Sequence, residues 1–294
     1  MLAVALFWGA NFSANKYGVS VLPPMVFAAI RFSVATLVLT AVVWWRGADH
    51  RMPTRTAWLL AGLGVIGNTA YQVLFMLGLG TTSAVNASLI MAALPVAVAV
   101  LGWALQVERT TGRTWVGIAI ATAGVATVIA AKGLRFSGAT IHGDLLVLLA
   151  VVCWAVFTVG VRSVGRGHDP IRVTTLTVAG GTPGLVLAAL PSIGTVDFGA
   201  LPAGAWIAIG YSSVVAIVIA YLLWSVAIQA LGGSRTAIYN CVAPLFAAVT
   251  ARVTLGERLV PSQGIGAGLV IAGVLISQGV FARTAPGSVP VADP

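Results

Sequence analysis

The chain is poor in charge, in cysteine and in histidine, and each shortage removes a class of protein. Only 8% of its 294 residues are Asp, Glu, Lys or Arg, against about 25% in a soluble globular domain, so a water-facing surface cannot be coated. Two cysteines exclude a disulfide framework, and with His50, His142 and His168 they form no metal-ligand spacing. The seven acids (Asp49, Glu108, Asp144, Asp169, Asp197, Glu257 and Asp293) form no acid/base pair. No nucleophile elbow, phosphate loop or paired-histidine motif is present, so no catalytic residue, metal or cofactor is expected. What fills the chain is apolar: 59% hydrophobic residues and a mean hydropathy of +1.01, which also excludes disorder. A polytopic membrane protein remains. The net charge of +9 comes from basic residues scattered between apolar runs. They read as topology signals facing anionic headgroups, not as a nucleic-acid surface.

No charge occurs in 56–107, 198–234 or 259–282. A membrane helix needs about 20 mostly apolar residues, and cutting at turn signals and charges predicts ten: 2–20, 24–45, 57–78, 84–106, 114–132, 143–163, 171–190, 203–225, 234–254 and 264–283. The spans are apolar all round and lack the alternation of a membrane barrel strand. The Pro-rich segment 284–294 reads as a disordered tail. The first residues lack the basic start and cleavage site of a secretory signal, and are kept as helix 1; so abrupt a start suggests a native N-terminus upstream. With the N-terminus inside, Arg46, Arg51, Arg55, Arg109, Arg113, Arg162, Arg166, Arg172, Arg235 and Arg283 face the cytoplasm. Lys16, Lys132, Arg135, Arg252 and Arg258 face the other side. This bias places both termini in the cytoplasm.

The chain is written twice. A shift of 149 places Pro95 on Pro244, Glu108-Arg109 on Glu257-Arg258, Gly117 on Gly266 and Gly124 on Gly273. Nearer the N-terminus a shift of 146 places Trp8 on Trp154, Lys16 on Arg162 and Pro24 on Pro170. Each half then holds five helices. Five is odd, so the halves (1–133 and 143–283) enter the membrane in opposite senses, as in many secondary transporters with a midplane site. The expected fold is an all-α integral membrane protein of ten transmembrane helices in two inverted five-helix repeats.

Two blocks in register resemble the paired EamA domains of the drug/metabolite transporter superfamily. One runs from Asn86-Ala87-Ser88 through Leu94-Pro95 to Val107-Glu108-Arg109, Gly117 and Gly124-Val125. The other runs from Thr236-Ala237 through Ala243-Pro244 to Leu255-Gly256-Glu257-Arg258, Gly266 and Gly273-Val274. Trp8-Gly9-Ala10-Asn11-Phe12 and Lys16 resemble the family's opening, while Gln106-Val107-Glu108 departs from its usual Leu-Gly-Glu run. The resemblance implies an inner-membrane carrier, often an exporter of amino acids or other small metabolites. It also implies a central cavity bordered by helices 1, 3, 4, 6, 8 and 9.

Candidate site residues follow from polarity at depth. Arg31 lies about two turns into helix 2, roughly 10 Å from its start. It either reads a substrate carboxylate or snorkels to the headgroups. Lys16, near its helix end, reads as an interfacial anchor. Asn11, Asn15, Asn68, Tyr71, Gln72, Asn86, Tyr211, Tyr221, Gln229, Tyr239 and Asn240 fall within spans, where each ties helices together or faces a wet cavity. Trp8 and Trp154 are candidates for opposing cavity walls, and Pro95 and Pro244 for mid-helix kinks beside a binding site. Glu108 and Glu257 end helices 4 and 9. Each is a gate or proton site, or a short-range tie holding helices 4–5 and 9–10. Gly62, Gly64, Gly67, Gly264, Gly266 and Gly268 read as close-packing positions; the GxGxxG match they include lies inside a span and is no nucleotide loop. Cys153 and Cys241 read as small core residues. The expected function is secondary transport, in the export direction, of small organic metabolites such as amino acids or related compounds across the inner membrane by alternating access. The expected partners are a small-molecule substrate and the lipid bilayer, with a homodimer left open. With no acid or histidine at mid-depth, a facilitator or exchanger is expected. The alternatives are a membrane-embedded enzyme acting on lipid-linked substrates and a non-transporting scaffold.

Overall fold

A chain in hydrocarbon must satisfy every backbone N–H and C=O internally, which leaves helices or a closed barrel. The computed structural model describes residues 1–46, 52–82, 90–91, 93–130, 141–243, 245–246 and 261–278, and the described residues contain helices and no strand. In chain order they are α1 (Leu2–Val21), α2 (Pro24–Trp45), α3 (54–81), α4 (Leu94–Ala104), α5 (Gly112–Ala130), α6 (Ile141–Val164), α7 (Pro170–Ile193), α8 (Ala203–Leu231), α9 (233–242) and α10 (Pro261–Gln278). Five stretches are long and apolar enough to cross a membrane: Pro24–Trp45, Thr54–Leu79, Ile141–Val164, Pro170–Ile193 and Ala203–Leu231. Prolines open α2 and α7 in the first turn, where a missing N–H is free of consequence. Asp169 adds a cap on α7 by accepting from Ile171 N at 3.0 Å.

Several predicted spans differ in extent. Helix 3 begins three residues earlier than expected and helix 8 runs on to Leu231. Helix 4 is described as a helix over Leu94–Ala104 with Pro95 in its first turn, and Ile90 and Met91 just before it are helical as well. Helix 9 starts as α over Gly233–Ala237 and tightens to 3-10 over Ile238–Val242. Asn86, Pro244, Glu257 and the 284–294 tail lie outside the described residues.

α3 and α8 each change winding midway. Val65–Ala70 and Tyr211–Ile219 are π-helical, and a shift of 146 carries the first stretch onto the start of the second. Such wide turns are rare and cluster at functional places. Other contacts respect the same exchange of halves. α2 packs on α7 and α5 on α10; α3 lies against α6 and α7 as α8 lies against α1 and α2. Thr36 and Thr182, related by the 146 shift, share a hydroxyl hydrogen bond at 2.7 Å. A Cβ on Gly117 would meet Gly273 O at 2.6 Å, and one on Gly273 would meet Gly117 O at 2.5 Å. A Cβ on Gly124 would meet Gly266 O at 2.7 Å, so α5 and α10 run antiparallel with repeat-related glycines crossed.

The connections sort onto two faces. On one, Arg46 pairs with Asp169 at 3.9 Å, and Glu108 reaches Gly233. Arg162 reaches the end of α8 on that face, which also carries the exposed Trp44, Trp45, Trp58 and Trp103. Indoles beside arginines suit a membrane–water interface. On the other face, Thr82 bonds Asp144, and a Cβ on Gly204 would meet the Tyr17 hydroxyl at 2.8 Å.

Not every predicted close-packing glycine is one. Gly64 lies against the Thr177 carbonyl and Gly67 against the Phe157 ring, whereas Gly62, Gly264 and Gly268 have open space beside them. Gly273→Ala is therefore expected to destabilise the protein by about 1–3 kcal/mol, with Gly264→Ala near neutral. Thermal unfolding of both purified variants checks the difference.

Candidate functional site

Between the halves the sequence has gathered its aromatics. Trp8 of α1 meets Trp154 of α6 at a ring-centroid distance of 6.0 Å, Tyr221 of α8 at 6.0 Å and Trp224 at 5.0 Å. Trp154 in turn meets Tyr71 of α3 at 5.1 Å, Phe157 at 5.1 Å and Tyr221 at 5.6 Å. Most pairs are tilted or edge-to-face, the arrangement that sets ring edges against negative faces. Tyr71 also stacks on Phe75 at 5.9 Å. Trp8 and Trp154, expected on opposing walls, touch one another. They are the repeat-related pair, so they meet where the halves meet.

α1 presents one polar stripe to this cluster at Trp8, Asn11 and Asn15, spaced so that they share a helix face. The Trp8 indole N–H donates to Ala216 O in the π stretch of α8 at 3.0 Å. Tyr211 OH donates to Phe7 O at 3.1 Å and Ser212 Oγ to Asn11 Oδ1 at 2.6 Å. Asn15 Oδ1 accepts from Arg31 Nη1 at 2.7 Å. Three contacts thus tie α1 to the π stretch, and the fourth holds the arginine.

Arg31 does not snorkel. It is 2% exposed, with its guanidinium 4.9 Å from the Phe27 ring centroid and 5.9 Å from that of Phe32. Phe32 continues to Tyr221 at 6.3 Å, so Arg31 is joined to the aromatic cluster through one ring. Its Nε–H has no hydrogen-bond partner, and among the described residues no carboxylate pairs with it.

Other predicted residues take separate places. Asn68 is a helix tie, its Nδ2 donating to Thr177 O at 2.9 Å. Gln72 is buried beside Tyr71 on α3. Tyr239 packs against a second core formed by α1, α4, α5, α9 and α10. Asn240 Nδ2 and Gln229 Nε2 are buried without partners among the described residues. A surface depression of about 410 Å³, lined by Val21, Pro23, Asp197 and Pro202 among others, lies at the α1–α2 and α7–α8 connections, away from the cluster. Trp224, Phe32 and Phe157 were not foreseen. Tyr221 and Trp224, three apart on one helix face, carried a readable signal; the π stretches carried none.

Glu108 is a tie, but not the one expected. Among the described residues its carboxylate joins no neighbour on helices 4–5; it crosses to the other half and caps α9. Oε2 accepts from Gly233 N at 2.7 Å, Oε1 from Ser234 N at 2.7 Å, and Oε1 also accepts from Ser234 Oγ. A carboxylate on free helix N–H groups makes charge-assisted bonds. Local geometry delivers it there. α4 ends in a turn in which Val107 N donates to Gly102 O at 2.9 Å and Gln106 N to Trp103 O at 3.0 Å, with Gln106 at φ 56°, the left-handed helix stop normally given to glycine. Gly232 at φ 91° supplies the receiving turn, where a Cβ would lie 2.7 Å from Glu108 Oε2. Close by, Arg162 Nη1 donates to Ile228 O at 2.9 Å and to Gln229 O, capping the end of α8. Glu108→Gln sets an amide against a backbone N–H and is expected to cost about 1–3 kcal/mol, more than Ser234→Ala at about 1 kcal/mol. Thermal melts of the two variants decide it; the reverse order would remove the cap from its role.

Comparison with known proteins gives the family. The EamA-like transporter family model matches residues 1–130 and 141–278. A Bacillus subtilis (strain 168) protein named "Uncharacterized transporter YyaM" is 32% identical over 288 residues, 96% of this chain and 93% of its own. An "Uncharacterized transporter" from Archaeoglobus fulgidus is 31% identical over 276 residues, 92% and 93% of the two chains. A solved crystal structure shares the fold with a TM-score of 0.81 at 19% identity, covering 97% of this chain and 96% of that one. With a family match across both halves, a multi-pass helical body and these relatives, the chain belongs to the EamA-like transporter family.

Proposed function

We propose that this membrane transporter carries small organic metabolites, such as amino acids or related compounds, out across the inner membrane by alternating access of two inverted five-helix halves. Both termini lie in the cytoplasm in this reading, on the face that carries Arg46, Arg55, Arg109 and Arg162. The observation that carries it is the crosswise contact of repeat-related residues around a buried arginine and aromatic cluster. Thr36 bonds Thr182 at 2.7 Å, Gly117 crosses Gly273, and Trp8 meets Trp154. Such a frame has two equivalent ways to tilt its halves, one opening to each side. The π stretches of α3 and α8 sit at equivalent places in the two halves, and a wide turn is where a helix bends most readily.

Coupling follows from where the acids lie. Glu108, Asp144, Asp169 and Asp197 all stand at helix ends or connections, and each accepts a hydrogen bond there. A proton-driven carrier places a titrating group where cargo occupancy can reach it. The reading is therefore a facilitator or exchanger driven by the cargo gradient.

Two measurements test this. A metabolite-wide comparison of cells with and without the gene should reveal at least one solute exported faster, and proteoliposomes should move that solute down its gradient but not uphill under an imposed pH gradient. No solute difference would refute transport of metabolites, and protonophore-sensitive accumulation would refute the uncoupled mechanism. Separately, single cysteines introduced near Asp49 and Asp197 should be labelled from opposite sides of the membrane. Labelling from the same side would overturn the topology.

A further inference from the structure

The buried donors of the central cluster define what the cargo carries. Arg31 is 2% exposed with Nε–H unpartnered, and Trp224 is 2% exposed with its indole N–H unpartnered. A buried donor without an acceptor is expensive, and a buried guanidinium without a counter-charge more so. Both unmatched groups donate, so they match acceptors. Among the described residues, every carboxylate is held elsewhere. Glu108 caps α9, Asp144 takes the Thr82 hydroxyl, Asp169 caps α7, and Asp197 accepts from Gly199 N at 2.9 Å and Ala200 N at 3.3 Å.

We propose, resting on the transport reading above, that the cargo is a monocarboxylate with a flat apolar body, its carboxylate held by Arg31 beside Asn15 and its body laid against Trp8, Trp154, Tyr221 and Trp224. A single negative charge is specified by charge balance. Arg31 is the one described cation away from the helix ends and connections, so a dianion would leave a bare charge at depth. A planar carboxylate fits the guanidinium edge. No described acid stands in the cluster to pair an ammonium group, which sets simple carboxylates ahead of zwitterions. A flat apolar body is specified by the rings, which pack on one another with centroids 5.0 to 6.3 Å apart, so a planar guest exchanges a ring–ring contact for a ring–cargo contact of the same kind.

The test uses the purified full chain and three probes of one shape: 3-phenylpropionate, its neutral amide, and phenylalanine. Intrinsic tryptophan fluorescence should change saturably with 3-phenylpropionate. The amide, lacking the charge, should bind at least about tenfold more weakly, and phenylalanine should also bind at least about tenfold more weakly. Arg31→Gln should erase the preference for acid over amide, whereas Arg31→Lys should retain part of it. Trp224→Phe should weaken all three probes several-fold and leave the preference intact. Equal binding of acid and amide, tighter binding of phenylalanine, or no response to 3-phenylpropionate at millimolar concentration would each overturn the proposal. Should Arg31→Gln not fold, the three-probe comparison on the native chain still decides. A cargo that crosses the membrane without this preference refutes the carboxylate alone; binding with this preference and no flux of any solute refutes transport alone.

Discussion

Inside hydrocarbon no hydrophobic force presses one helix on another, so close approach depends on small residues and backbone contact. That constraint governs this molecule. α5 and α10 come within backbone distance because Gly117, Gly124, Gly266 and Gly273 lie at the crossing, and α3 reaches α7 through Gly64 and Gly180. Hydroxyl and amide side chains then lock the register, as Asn68 does on Thr177 O and Thr69 on Gly181 O at 2.6 Å. Without those approaches the aromatic cluster would have no common centre.

The frame is repeated but its contents are not. Thr36 and Thr182 are equivalent and meet; Trp8 and Trp154 are equivalent and meet. Arg31, by contrast, has Thr177 at its equivalent position under the same shift, so the charge has no counterpart there.

The polar groups at helix ends serve a different purpose from those at the centre. Glu108 and Arg162 satisfy free N–H and C=O groups where α8 turns into α9, and Asp169 does so for α7. Each replaces water that a helix end near lipid cannot rely on. Among the described residues the acids are thereby committed to structure, and the central cluster is built from donors, hydroxyls, amides and rings.

Sequence alone determined the membrane class and the helical content, and it suggested a repeat. Lipid imposes length and apolarity on every span, and the repeat is a register that survives in Gly117, Gly124, Gly266 and Gly273. Sequence also picked Trp8, Tyr71, Trp154, Tyr221 and Arg31, because polar and aromatic groups at depth are costly enough to be conspicuous. It could not say that the two tryptophans touch, that Arg31 turns inward to Asn15, or that Glu108 caps a helix of the other half. Those are contacts between residues far apart in the chain, and a local pattern carries no information about its partner. The π stretches were invisible for the same reason. An extra residue in a turn changes no composition, and only packing against α1, α2, α6 and α7 decides where the helix widens.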